Sequence, residues 1–419
     1  MDTRCESLQR SVEILSKEST WEYSAAPIPL SHWRGLPEDY ISKIQKFLAD
    51  IKRYTCALRS GNKIESKLYL GSGRDVLLHD DMLLPHWKEF ANALQLYTDH
   101  LGLSIGYIQL TSEVLDILAP ALKGKAFTEF SLFNNMLADN EFTTEFIKSN
   151  RKLRHFFSCN NQIGNMEHAH DLIEAIINNP SIDDVRLENC LLGDLNSYEV
   201  VRPLFASDNT TWDLLDLERN NISTGGDTTI PDYITSNPPL KYLHLTGNKL
   251  NDEDAILIAN ALKQNTNLLQ LRLRGNIFTS IGKEALFKAV CDLTSLNSMS
   301  DCNHTCKIQL DGIDRGRPLF CMNDNTGHSN RKSLRSMKIN YILSLRHREG
   351  SNVQHLNAEF ADDDEVNYNS LKLAPKLLEC VQKPGGFLFS SNIINPLSIM
   401  YEVLRGWKMP ELYEKRVSK

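Results

Sequence analysis

The sequence predicts an α/β solenoid, with short parallel strands on the concave side of a horseshoe, helices on its convex side and helical caps at both ends. Three observations predict it. One spaced apolar pattern recurs seven times between Phe127 and His304. The copies start at Phe127, Leu153, Ile182, Trp212, Leu240, Leu268 and Leu296, which lie 26, 29, 30, 28, 28 and 28 residues apart. An asparagine stands at the same place in most of them. A period in this range marks a repeat architecture, in which one unit cannot bury its own apolar face and stacked neighbours can.

The template is LxxLxLxxNxL, clearest as LKYLHLTGNKL from Leu240 and LLQLRLRGNIF from Leu268. Side chains two apart on a strand point the same way, so the fourth and sixth positions enter one core. Those pairs are Phe130 and Leu132, Phe156 and Ser158, Val185 and Leu187, Leu215 and Leu217, Leu243 and Leu245, and Leu271 and Leu273. The eleventh position closes each unit with Leu137, Ile163, Leu192, Ile222, Leu250 or Phe278. At the ninth position stand Asn135, Asn161, Asn220, Asn248 and Asn276, with Cys190 once in their place. A buried asparagine there is expected to bond the loop backbone of the adjacent repeat. Between the strands, segments such as Asp252 to Lys263 and Ser280 to Val290 carry apolar residues at helical intervals.

These residues resemble the leucine-rich repeats of the ribonuclease-inhibitor type, which alternate a strand with a full helix in units of about 28 residues. The resemblance covers roughly residues 105 to 308, including a shortened unit at Ile105, Ile108, Leu110 and Leu115. It departs from the pattern at Ser158, at Cys190, and at Asp301 and His304 in a degraded last copy that begins at Leu296 and Met299. The resemblance implies a recognition scaffold without catalytic machinery, and some relatives of this class regulate small GTPases. Fold alone does not name a function.

The chain is expected to divide into an N-terminal helical region and cap over 1–104, the solenoid over 105–308, and a C-terminal loop and helical cap over 309–419. In the first region Ile41, Ile44, Phe47, Leu48, Ile51 and Tyr54 mark a helix from Glu38 to Leu58, and Trp87, Phe90, Ala91 and Leu94 mark a second. Such a cap would cover the open edge of the first repeat. In the last region helices are expected at Lys332 to Leu345, Asn369 to Gln382 and Pro396 to Trp407, with an acidic stretch from Ala361 between them.

With 419 residues and a net charge of −7, the chain lacks the basic surface that nucleic acid or an anionic membrane requires. No apolar run approaches the length of a membrane span, and the start lacks the order of a secretory signal. Nine scattered cysteines, an odd number, suit reduced thiols and a cytoplasmic, soluble protein. Phosphate-loop, HExxH and GxSxG motifs are absent, so neither catalysis nor a cofactor is expected. Cys302, His304 and Cys306 offer three metal-ligand types in one segment, but a fourth ligand would have to come from Cys321 or His328 across a loop. His168 and His170, two apart on a helix, face different directions.

Function is therefore sought on the outward strand positions. Asp184, Arg186, Glu188, Asp213, Asp216 and Glu218 gather acids in the middle repeats, and Tyr242, His244, Arg272 and Arg274 gather aromatic and basic character later. The expected partner is another protein, of unknown identity, held by this face. Two alternatives stand beside that expectation: regulation of a small GTPase, and a ubiquitin-ligase adaptor, since GLPEDYISKIQKFLADI from Gly35 resembles the start of an F-box.

Overall fold

The structure, a computed structural model, describes residues 21–61, 67–71, 73, 75–137, 140–191, 196–206, 211–311 and 331–361, and residues 398, 399, 401, 402 and 405. The chain divides into two compact units, Met1–Ser223 and Thr224–Lys419.

The first unit alternates α1 (Glu38–Arg59), β1 (Lys67–Gly71), α2 (Leu84–Leu96), β2 (Leu101–Gly106), α3 (Ser112–Leu122), β3 (Phe127–Phe133), α4 (Glu141–Ser149), β4 (His155–Cys159), α5 (Met166–Ile177), β5 (Asp184–Glu188), α6 (Ser197–Ala206) and β6 (Leu214–Asp216). Each strand pairs in parallel with the next in chain order. The fourth and sixth template positions lie side by side in that register, Phe130 beside Phe156 and Leu132 beside Ser158, and all four are buried. The helices complete the core with their apolar stripes, as α5 does with Ala169, Leu172, Ile173 and Ile176.

β1 precedes the expected start of the solenoid, and β2 straddles it. β1 and β2 carry Leu68, Leu70, Leu103 and Ile105 into the core, so strand–helix units occupy part of the stretch assigned to a helical cap. Ile105 pairs with Leu132 and is a sixth-position residue, not the first of a shortened unit. The template hid these units because neither has an asparagine at the ninth place, where Gly73 and Ile108 stand instead. Ahead of them, α1 buries Ile44, Phe47, Ile51 and Leu58, and Phe47 meets Trp87 of α2 at 5.4 Å between ring centres.

The second unit contains α7 (Thr229–Thr235), β7 (Tyr242–His244), α8 (Asp252–Leu262), β8 (Gln270–Arg272), α9 (Ser280–Val290), α10 (Leu296–Asp301), β9 (Lys307–Gln309), α11 (Arg331–Arg348) and α12 (Asn352–Ala361). β7, β8 and β9 pair in parallel in that order. The degraded copy at Leu296 and Met299 is a helix instead of a strand. Ser295 caps it by accepting from the Ser298 N–H, and Leu296 and Met299, three apart, are buried from one helix face. That spacing fits a helical turn as well as template positions one and four. The strand lies further on, with Ile308 beside Leu271, and Ile308 and Leu310 in the core. Ser298, Ser300 and Cys302, which the template would turn outward on a strand, lie instead in α10 and at its C-terminal cap.

Among the remaining sequence-based expectations, Leu192, the helix Asn369 to Gln382, most of the acidic stretch after Ala361, and Cys321 and His328 lie outside the described residues. Of Pro396 to Trp407, residues 398, 399, 401, 402 and 405 are helical.

Turns after the strands share one geometry. The eighth template position has positive φ at Asn134 (51°), Asn160 (54°), Asn189 (54°), Arg219 (59°), Gly247 (71°) and Gly275 (68°). Asparagine and glycine tolerate this left-handed conformation, and arginine does so at a cost. The turn delivers the ninth-position amide into the stack. Asn161 accepts from the Asn135 N–H at 2.7 Å and donates to the Leu132 carbonyl at 3.0 Å. Asn220 accepts from the Cys190 and Leu191 N–H groups, both at 2.9 Å, and donates to Leu187 O at 2.5 Å. The two departures from the template meet one another: Cys190 Sγ donates to Ser158 O at 3.0 Å and lies 3.6 Å from Ser158 Oγ.

A second series of asparagines runs along the helix ends. Asn179 donates to Ile147 O and Asn150 O at 2.9 and 3.0 Å. Asn265 donates to Ile234 O at 2.8 Å, and Asn303 to Leu262 O and Asn265 O, both at 2.7 Å. Their carbonyl oxygens accept from the chain just ahead, as Asn265 does from the Asn267 and Leu268 N–H groups. β8 is hydrogen-bonded in this way at both ends, with the Leu268 N–H donating to Asn265 at its entry and Asn276 donating to Leu273 O at its exit.

Candidate interaction surface

Parallel pairing in register lines up the outward strand positions in rows. In the first unit one row runs Lys67, Gly102, Glu129, His155, Asp184 and Leu214, and the next runs Tyr69, Ser104, Ser131, Phe157, Arg186 and Asp216. Phe157 is the centre of the second row. The Arg186 guanidinium lies 4.4 Å from its ring centre, and the His155 ring is stacked parallel to it at 6.3 Å. Arg186 is itself held by Asp184, through Nε to Oδ1 at 3.1 Å and NH2 to Oδ2 at 3.0 Å. Burial opposes the Arg186 charge, yet Asp184 and Asp216 hold its pKa above the ordinary arginine value. Lys67 reaches across two strands to the Glu129 carboxylate, which also accepts from Ser131 Oγ at 3.1 Å. Tyr69 is 40 % exposed at the edge of this face.

The acids of β5 and β6 are partly compensated within the unit. Arg154 bonds Asp183, Arg219 lies 3.4 Å from Glu188, and Asp216 accepts from the Glu218 N–H at 3.1 Å. Glu188 is half-buried, and burial, then the nearby Asp216 and Glu218, push its carboxyl pKa up, against the pull of Arg219. Asp184, Glu188, Asp213 and Glu218 remain partly accessible, whereas Asp216 is buried.

In the second unit Tyr242 pairs with Gln270 and Gln270 with Lys307, while His244 pairs with Arg272 and Arg272 with Gln309. Gln270 Oε1 accepts from Arg272 Nε at 3.1 Å and lies 3.1 Å from His244 Nε2, and Gln270 and His244 are buried. Tyr242 and Arg272 are partly accessible and Arg274 is exposed. The residues named from the sequence thus lie in two groups: Asp184, Arg186, Glu188, Asp213, Asp216 and Glu218 in the first unit, and Tyr242, His244, Arg272 and Arg274 in the second. Sequence reading missed Lys67, Tyr69, Lys307 and Gln309, because two strands lacked the asparagine signal and one copy was read out of register.

The three candidate metal ligands near the last repeat serve the backbone instead. Cys302 Sγ lies 3.2 Å from both Lys288 O and Ser298 O, which share its one S–H donor, and accepts from the Asp292 N–H at 3.1 Å. His304 Nε2 bonds Ser300 O at 3.0 Å. Burial pushes the Cys306 thiol up to about 12. Their donor atoms do not converge on a common point among the described residues. His168 and His170 flank the buried Ala169 on α5 and diverge from it.

Strand, asparagine-bearing turn and helix recur in both units, with the apolar template positions turned inward. This is a leucine-rich repeat fold. No family model matches the chain. Over 102 residues it is 35 % identical to the acidic leucine-rich nuclear phosphoprotein 32 family member A of Drosophila melanogaster, a match covering 24 % of this chain and 35 % of that protein. The chain thus spans about a third of the length of that relative. Among solved structures it is similar to an internalin from Listeria monocytogenes, at 18 % identity and a TM-score of 0.34, over 55 % of this chain and 67 % of that one. No described helix is long and apolar enough to cross a membrane.

Proposed function

We infer that the protein is a non-enzymatic scaffold that binds another protein through the outward face of its strands. The carrying observation is Phe157, an aromatic side chain on the outward register, flanked by His155 and Arg186 and ringed by charged residues. Aromatic and arginine side chains on a rigid face are the residue types that anchor protein interfaces, with polar rims around them. Tyr242 and Arg272 supply the same pair of types on the second unit. Full helices after the strands, such as the 12 residues of α5, support a repeat of the ribonuclease-inhibitor type. The flanking regions, 1–104 and 309–419, are read as containing the end caps. An intracellular location is proposed, in the cytoplasm or, following the name of the Drosophila relative, in the nucleus.

An adaptor role built on α1 is less well supported. An F-box-like helix must offer an apolar face to its partner, and Phe47 and Ile51 are spent on packing inside the unit.

The test is affinity capture from native extract with the full chain. Phe157→Asp with Arg186→Glu addresses the first unit, and Tyr242→Asp with Arg272→Glu the second. Loss of the captured protein in either pair, with unchanged capture by Glu174→Lys on a helix, is the expected result. Retention by both face variants overturns the assignment. Recovery of a GTPase or a ubiquitin-ligase core would point to the corresponding alternative.

A further inference from the structure

The first unit holds a group of exposed apolar side chains on two segments, one ahead of α1 and the other between β1 and α2. Leu30 is 62 % exposed, Leu78 57 %, Met82 42 % and Leu36 40 %. Polar contacts bring them to one place. His32 Nε2 meets Asp80 Oδ2 at 2.9 Å, seating the turn Leu30–Trp33 against the segment that leads into α2. The Leu78 N–H donates to Tyr40 Oη at 2.8 Å, which ties that segment to the first turn of α1, just beyond Leu36. Asp80 also accepts from the Met82 N–H at 2.9 Å and so fixes the third side chain. These contacts hold the apolar groups on an ordered backbone, where a solvated loop would gain nothing from displaying them. Exposed apolar side chains gathered on adjoining ordered segments are the kind of feature that marks a contact surface.

Carboxylates outnumber full cations around these side chains: Glu38, Asp39, Asp75, Asp80 and Asp81 stand against Arg34 and Lys43, with His32 beside Asp80 and His79 beside Asp81. Glu38 and Asp39 open α1, and Asp80 and Asp81 precede α2. Among these carboxylates Asp39 and Asp81 have side chains 75 % and 94 % exposed, Asp81 lying 3.2 Å from His79 Nε2. Lys43, the cation nearest to Asp39, is divided between it and Asp75. An apolar patch edged by carboxylates is complementary to leucine-like side chains flanked by lysine or arginine.

We propose that this edge, centred on Leu30, Leu78 and Met82, docks a basic amphipathic segment of a partner protein. The site is separate from the strand faces, and the inference does not depend on them.

The test uses the full chain and two synthetic helical peptides of about 18 residues sharing one leucine stripe, with lysine on the polar face of one and glutamate on that of the other. Fluorescence anisotropy should show the lysine peptide binding at least about tenfold tighter than the glutamate peptide. Leu78→Ser with Met82→Ser should weaken the lysine peptide by about tenfold or more at an unchanged unfolding temperature. Asp39→Lys with Asp81→Lys should abolish the preference between the peptides, and Phe157→Asp with Arg186→Glu should leave it intact. No binding, equal binding of both peptides, unchanged affinity in the serine variant, or sensitivity to the strand-face variant would each overturn the proposal.

Discussion

Replacing Asn161 by alanine isolates what the ninth-position asparagine does. Its side chain is 2 % exposed, accepts from the Asn135 N–H at 2.7 Å and donates to Leu132 O at 3.0 Å. The alanine variant loses little apolar area but strips a backbone donor and a backbone acceptor of their side-chain partner. A buried polar group left unsatisfied costs about 1–3 kcal/mol, so the two together predict a loss of about 2–6 kcal/mol. Against a typical stability of about 5–15 kcal/mol, such a loss is large. Urea unfolding followed by far-ultraviolet circular dichroism measures it as a fall in midpoint at constant slope. The control is Asn178→Ala, an exposed asparagine at the end of α5, expected to stay within about 0.5 kcal/mol of wild type. A loss below about 1 kcal/mol at Asn161 would mean that water or a small backbone shift satisfies both groups, and the ladder would then be incidental.

Cys190→Asn should stabilise by about 0.5–1.5 kcal/mol, because the thiol reaches Ser158 O but is a poorer acceptor than an amide for the Asn161 N–H; the same urea titration reads the gain. Arg219→Asn should raise the unfolding temperature, by about 1 kcal/mol of stability, since the left-handed turn at φ 59° disfavours arginine and its exposed pairing with Glu188 offsets little; a fall in scanning calorimetry would refute this. Burial raises the thiols of Cys159 and Cys190 to about 12 and about 11, so both should resist iodoacetamide at pH 8.5 in the folded protein and react once urea unfolds it, as read by mass spectrometry. These raised values also fix a direction for stability. The folded state keeps protons that unfolded thiols release above about pH 8.5, so the contribution is full below that pH and declines as pH rises towards 11 and 12.

The repeat core was legible from residue spacing because inward positions answer to one demand, burial. Leu243, Leu245, Leu271 and Leu273 carry the template almost unaltered. The units at β1 and β2 escaped because their turns do not use the asparagine that identifies the others. The last repeat was misplaced because Leu296 and Met299 satisfy a helix and a strand template equally well. A signal for the correct register was present in the chain: Asn150, Asn179 and Asn265 each precede a first-position residue by three, and Asn303 plays the same part before β9. Outward positions obey no such common demand. Arg186 could be named from alternation alone, but its place over Phe157 depends on a neighbour 29 residues away in the chain, and its hold on Asp184 on side-chain geometry.

Asparagines of both series reach back to the repeat before their own: Asn161 serves Leu132 and Asn135, Asn179 serves Ile147 and Asn150, Asn276 serves Leu245 and Leu250, and Asn303 serves Leu262 and Asn265. Growth of the array is thereby polar. A repeat emerging from the ribosome has its loops closed only when its successor arrives, and within each unit a cut on the carboxyl side strands carbonyls and amides that a cut on the amino side would spare.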